Sequence, residues 1–134
     1  MSMLTRREAL AHMSTFAVLA LLPRDVAWRP GFDHPEPRPG ITGEHVLPDE
    51  KLPDKAAVRR AYQAAREYPA IFDGLYCPCD CSKTLKHRSL LSCYETDQPT
   101  GCWSCREAGE YVGTLAKEGK SLTEIRAAVD KKFD

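Results

Sequence analysis

The sequence predicts a small all-α domain that carries an irregular cysteine-rich segment and follows a proline-rich extended arm. Three observations lead there. Apolar residues recur at helical spacing on both sides of the cysteines; no alternating run of strand length occurs; and seven of the ten prolines lie between Pro23 and Pro53. The 134 residues suffice for one domain, and 19 basic against 19 acidic side chains leave no net charge. No run of five like charges occurs, so the chain reads neither as a nucleic-acid binder nor as the bearer of an electrostatic tail.

The elements follow in order. Thr5-Arg6-Arg7-Glu8-Ala9-Leu10 sets a twin arginine after a hydroxyl residue, ahead of an apolar stretch from Ala9 to Leu22 that His12, Ser14 and Thr15 interrupt. This resembles a twin-arginine export signal, although Ala9 stands where an aromatic residue is often found. The stretch is shorter than the ~20 residues of a bilayer-spanning helix. Residues 1–27 are therefore read as an address or N-terminal anchor. The protein is expected to be exported, periplasmic or extracytoplasmic, touching a membrane only through an uncleaved N-terminal segment. The route implied by that resemblance carries proteins already folded, with a cofactor in place, which suits metal-loaded cysteines. Disulfides alone would not require it.

Residues 28–52 form the proline-rich linker or wrapping arm, in which Pro35, Pro37 and Pro39 alternate with other residues and His34 and His45 read as solvated. The helical cysteine-rich domain is expected over residues 53–134. Pro53 suits a first helical position, Val58, Ala61, Tyr62 and Ala65 make an amphipathic stripe, and Pro69 ends it. Leu90, Leu91 and Tyr94 suggest a short helix beginning near Ser82 or His87. Ala108, Tyr111, Val112 and Leu115 form the next stripe, which Gly119 stops in a left-handed conformation. Ser121 and Glu124 then have the spacing of a capping box, and Leu122, Ile125, Val129 and Phe133 line the last helix. A domain this small has a poor surface-to-volume ratio, so metal or disulfide staples are a real structural option for its cysteines.

All six cysteines lie between Cys77 and Cys105. The first cluster is Cys77-Pro78-Cys79-Asp80-Cys81. In an extended segment its sulfurs form a row on one side, with ~6.5 Å between successive Cα atoms. Zinc usually takes pairs spaced C-x2-C or wider; a C-x-C-x-C row better suits Cu(I) or a small thiolate cluster with bridging sulfurs. The second cluster, Cys102-Trp103-Ser104-Cys105, opens a helix whose N-terminal amides favour a thiolate, which serves a redox nucleophile and a metal ligand equally. Trp103 shields this cluster or anchors its helix. Cys93 stands alone as ligand, disulfide partner or small hydrophobe, and His87, six residues earlier, reads as a ligand or as a capping or core histidine. Asp73 and Asp80 flank the first cluster, either tuning it electrostatically or standing as solvated turn residues, the latter being favoured. A thioredoxin-like arrangement lacks its βαβ surround, and no phosphate loop, H-E-x-x-H or G-x-S-x-G motif supports hydrolysis or phosphoryl transfer.

Leu75-Tyr76-Cys77-Pro78-Cys79-Asp80-Cys81, then His87 to Tyr94, then Gly101-Cys102-Trp103-Ser104-Cys105 with Glu107-Ala108 together resemble the CYCXC family, some members of which are selenoproteins, and the related proteins with a P-C-Y-C-G-C signature. Pro78 replaces the aromatic residue between the first two cysteines. Selenocysteine in relatives implies sulfur positions that are redox-active or metal-binding. Three functions then compete. The first is an exported metal-binding protein that holds Cu(I) or zinc through Cys77, Cys79, Cys81, His87, Cys93, Cys102 and Cys105, for metal handling or structure. The second is an extracytoplasmic thiol–disulfide redox protein, and the third an interaction module stapled by disulfides. The expected partners are the metal ion and a redox or metal-delivery protein, and no nucleic acid.

Overall fold

The computed structural model describes residues 34–79 and 85–133. The twin-arginine segment 1–27, the start of the linker and Cys81 lie outside the described residues. Among those described, the only regular structure is helical: a 3-10 turn at Asp49–Lys51, then α1 (Ala56–Glu67), α2 (Pro69–Asp73), α3 (Leu90–Tyr94), α4 (Gln98–Gly101), α5 (Trp103–Lys117) and α6 (Leu122–Phe133). The all-α expectation holds. No helix among the described residues is long and apolar enough to cross a membrane.

Helix α1 begins at Ala56 rather than at Pro53, because the Pro53 carbonyl accepts from the Lys55 amide at 2.8 Å in a turn that precedes the helix. Pro69 acts on both sides of its position. It halts α1 at Glu67 and, having no N–H to leave unsatisfied, takes the first position of α2. Helix α3 starts where Ser89 caps it, its hydroxyl accepting from the Ser92 amide. The predicted stop and cap at the other end are both present. Gly119 has φ of 81°, the Glu124 amide donates to the Ser121 hydroxyl, and the Glu124 carboxylate accepts from the Ser121 amide at 2.7 Å.

The core lies mainly between α1 and α5. Val58, Ala61, Tyr62 and Ala65 from α1 join Cys105, Ala108 and Val112 from α5, all fully buried. The two backbones approach closely where Gly113 meets Ala64, since a Cβ on Gly113 would lie 2.6 Å from the Ala64 methyl. Tyr94 of α3 is wedged beneath this pair, edge-on to Tyr62 at 4.8 Å and to Phe72 at 5.5 Å between ring centroids. Helix α6 adds Ile125 and Val129.

The described part of the proline-rich segment wraps against the helices. Val46 and Leu52 are buried, and the Leu47 amide donates to the Tyr94 carbonyl at 3.1 Å. His34 is not solvated: its side chain is 8% exposed and its Nε2 lies 2.8 Å from the Asp130 carboxylate of α6. His45, at 73% exposure, is solvated as expected.

Candidate metal centre

The first two cysteines sit on an irregular segment that four separate anchors hold. Behind it, the Arg126 guanidinium donates to the Gly74 carbonyl at 2.9 Å. Beside it, the Leu90 amide donates to the Leu75 carbonyl at 2.7 Å, tying the segment to the start of α3. The Tyr76 amide donates to His34 Nδ1 at 3.2 Å. With Nδ1 accepting, the proton belongs on Nε2, which faces Asp130. Below it, Asp73 forms a buried clasp: its carboxylate takes the Arg38 amide and guanidinium, the Arg88 guanidinium and the Ser89 hydroxyl, each contact between 2.8 and 3.1 Å.

Asp73 is therefore not a solvated turn residue. Burial alone would raise its pKa, but the hydrogen bonds from Arg38 and Ser89 outweigh that and bring it down to about 2.

Helix α5 supplies the opposing wall. Cys102 is its N-cap, and its sulfur accepts from the Cys105 amide at 3.4 Å. Cys105 occupies the first turn, where the Tyr94 hydroxyl donates to its carbonyl at 2.6 Å. Trp103, at 64% exposure, does not anchor the helix.

These anchors bring three sulfurs together. Cys77 Sγ lies 3.1 Å from Cys79 Sγ and 3.1 Å from Cys105 Sγ, and Cys79 Sγ lies 3.2 Å from Cys105 Sγ. Cysteines 77 and 79 do not form the expected row. The chain bends at Pro78 and Cys79, so their sulfurs converge instead of standing apart as in an extended strand. The donor set of soft sulfurs, all within 4.8 Å of one another, is one that can hold a metal ion.

Cys93 and His87 extend the site. The buried Cys93 thiol interacts with both Cys77 and Cys105, and His87 Nδ1 lies 3.1 Å from Cys93 Sγ. His87 thus contacts a sulfur and neither caps a helix nor fills the core. Of the predicted ligands, the structure gathers Cys77, Cys79, Cys93, Cys105 and His87; it places Cys102 at the edge as a helix cap, and Cys81 lies outside the described residues.

The thiols share protons unequally. Hydrogen bonding from Cys105, then from Cys93, brings the Cys77 thiol down to about 4 against the opposing effect of burial, and the charge of His87 assists. Cys105 is the counterpart: as donor to Cys77 and Cys93 and as a buried group, it holds its proton far above the ordinary thiol range. For Cys93 the contact with Cys105 acts downward, but Cys77 and burial prevail and push it up. Cys77, Cys93, Cys102 and Cys105 are in no disulfide, whereas Cys79 is disulfide-bonded.

Sequence reasoning missed three contributors to this site. Asp73 closes the single-turn helix α2 and His34 lies in an irregular segment, so neither belongs to a periodic pattern, and the sequence reads Tyr94 only as part of a short helix. A signal for Tyr94 does exist: a Cβ on Gly109 would meet its hydroxyl at 1.9 Å, so a glycine inside the α5 pattern marks a close approach.

Comparison with curated proteins and with solved structures gives no match. One family model does match, over residues 40–134, a span that contains every anchored cysteine described above. Its signature is the closely spaced cysteine run, in which this chain has Tyr76, Pro78 and Asp80 where the motif has proline, tyrosine and glycine. The chain belongs to the family of proteins of unknown function with the PCYCGC motif.

Proposed function

We propose that this is an exported metal-binding protein whose cysteine cluster takes Cu(I) or zinc once Cys79 is reduced. The observation that carries the reading is the sulfur triangle of Cys77, Cys79 and Cys105, with no side beyond 3.2 Å. Once Cys79 is reduced and the thiols give up their protons, sulfurs this close would repel one another, and a cation among them would remove that repulsion and replace their lost hydration. Soft ligands of this type favour Cu(I) or zinc over hard cations. The twin arginine at Arg6 and Arg7 fits the same role, because a route for folded proteins preserves a metal loaded before export. The test is anaerobic purification of the reduced protein, followed by native mass spectrometry with elemental analysis. At least one equivalent of copper or zinc is expected; a metal-free protein that fails to take up either ion would refute the reading.

A second reading, a thiol–disulfide redox protein, draws on the position of the Cys79 disulfide sulfur beside two thiols. Attack by the Cys77 thiolate on Cys79 Sγ would form a new sulfur–sulfur bond and release the former partner as a thiolate. Rapid exchange with a small disulfide supports this reading; a bridge that resists glutathione argues against it.

A further inference from the structure

We propose that His34 is a pH-sensitive positioning residue: as a neutral imidazole it pins the cysteine-bearing segment to α6, and on gaining a second proton it keeps α6 and releases the segment. The proposal goes beyond the metal-binding reading and does not depend on a bound ion. Its basis is the pair of contacts made by one buried ring. Nδ1 accepts from the Tyr76 amide at 3.2 Å, and Nε2 lies 2.8 Å from the Asp130 carboxylate. A residue of the proline-rich arm thus joins the last helix to the backbone that leads into Cys77.

The two contacts respond to protonation in opposite ways. Nδ1 accepts only while it carries no proton; once it is protonated, two N–H donors face each other across the same gap. Nε2 donates in both states, and its bond to the carboxylate is strengthened when the ring is cationic. The surroundings offer the new donor no substitute. The space among His34, Tyr76, Pro78, Val129, Asp130 and Phe133 measures about 10 Å³, at the lower limit for a single water.

The charges around the ring allow the second proton. Asp130 faces it from α6 and favours the cation. Arg126, one turn earlier on the same helix, opposes it, but its guanidinium is directed to the Pro35 and Gly74 carbonyls and lies 3.5 Å from the Glu36 carboxylate of the arm. From the cysteine segment comes the phenol ring of Tyr76, stacked on the imidazole at 6.4 Å between centroids. Leu75 stays tied whatever the pH, because its carbonyl accepts from the Leu90 amide at 2.7 Å and neither group titrates. Release therefore begins at Tyr76 and runs towards Cys77.

The experiment follows the full chain by nuclear magnetic resonance from about pH 8 to about pH 5, the range in which histidine ordinarily changes charge. Long-range proton–nitrogen spectra report when Nδ1 of His34 gains its proton. Amide hydrogen exchange, corrected for its intrinsic pH dependence, reports the protection of Tyr76. That protection should fall roughly tenfold with the same midpoint as the ring, while the Leu90 amide keeps its own. Two variants hold the end states. His34→Asn sets an amide oxygen near the position of Nδ1 and should protect Tyr76 at every pH. His34→Gln reaches towards Asp130 but offers no acceptor at Nδ1, and should leave Tyr76 exchanging fast throughout. Tyr76 protection that stays constant while Nδ1 is protonated overturns the proposal, as does a ring that takes no second proton in this range, or a folded His34→Asn chain that still loses protection in acid. The wild-type titration decides the matter even where a variant unfolds.

Discussion

Asp73 and Cys77 lie four residues apart and each centres a buried polar cluster, yet the two clusters are solved in opposite ways. Around Asp73 one negative charge meets two guanidinium groups and a hydroxyl, so its carboxylate is fully partnered by groups of opposite sign. Around Cys77 the neighbours are other sulfurs, with the His87 imidazole beyond them at 3.1 Å from Cys93 Sγ. The first arrangement is complete with protein atoms alone and serves to hold the fold. The second crowds sulfurs together, a donor set suited to a cation. Burial by itself does not separate a structural polar cluster from a functional one; the sign of its partners does.

The strongest way to sharpen this contrast is to supply the cation. Reduced protein with free metal at roughly a thousand times its dissociation constant should gain about 4 kcal/mol of stability, read from the shift of the urea midpoint, and the gain should vanish in Cys105→Ser. Breaking the clasp acts without metal. Asp73→Ala leaves Arg38 and Arg88 facing a void and should lower stability by about 3 kcal/mol in the same assay. Its pH dependence follows from the direction of the shift. The carboxyl titrates near 3.8 when unfolded and at about 2 when folded, so its contribution is complete above pH 4 and is lost as pH falls towards 2. That loss, about 2 kcal/mol, should be absent in Asp73→Asn.

Gly109→Ala links the sulfur site to the core, because the added methyl collides with the Tyr94 hydroxyl that holds the Cys105 carbonyl. Overpacking should cost about 2 kcal/mol and weaken metal binding as well, measurable by chelator competition. Ser121→Ala, remote from both clusters, should cost about 1 kcal/mol through the lost cap at α6 and leave metal affinity unchanged. A change in affinity there would mean that the site is less local than its geometry implies.

Periodicity and capping chemistry made the helices legible. The stripes of α1, α5 and α6 lie on buried faces, and Gly119, Ser121 and Glu124 act as local chemistry requires. The boundaries that went astray belong to prolines. Pro53 has a turn ahead of its helix, and Pro69 both ends one helix and starts the next, a choice set by packing rather than by the residue. Helix α4, a single turn at Gln98–Gly101, is too short for any periodicity to register. At the site, the ligand types were readable because sulfur chemistry is tied to residue identity. The convergence of Cys77 and Cys79 was not, since it depends on a bend held in place by residues from the arm and α6: His34, which donates to Asp130, and Arg126. Nor was the clasp: a lone aspartate before a glycine looks like a turn until Arg38, 35 residues earlier, arrives to pair with it.

The contact between Cys77 and Cys105 spans 28 residues of sequence, and it encloses α3, α4 and the segment that carries His87. Any ion that bonds both sulfurs closes this stretch into a ring. Closing a loop of that length removes conformational freedom from the unfolded chain worth about 3.5 kcal/mol, whatever the strength of the bonds themselves. An ion bound to both sulfurs would thus stabilise the fold through the chain it ties off as well as through its own bonds, and removing it would lift that constraint.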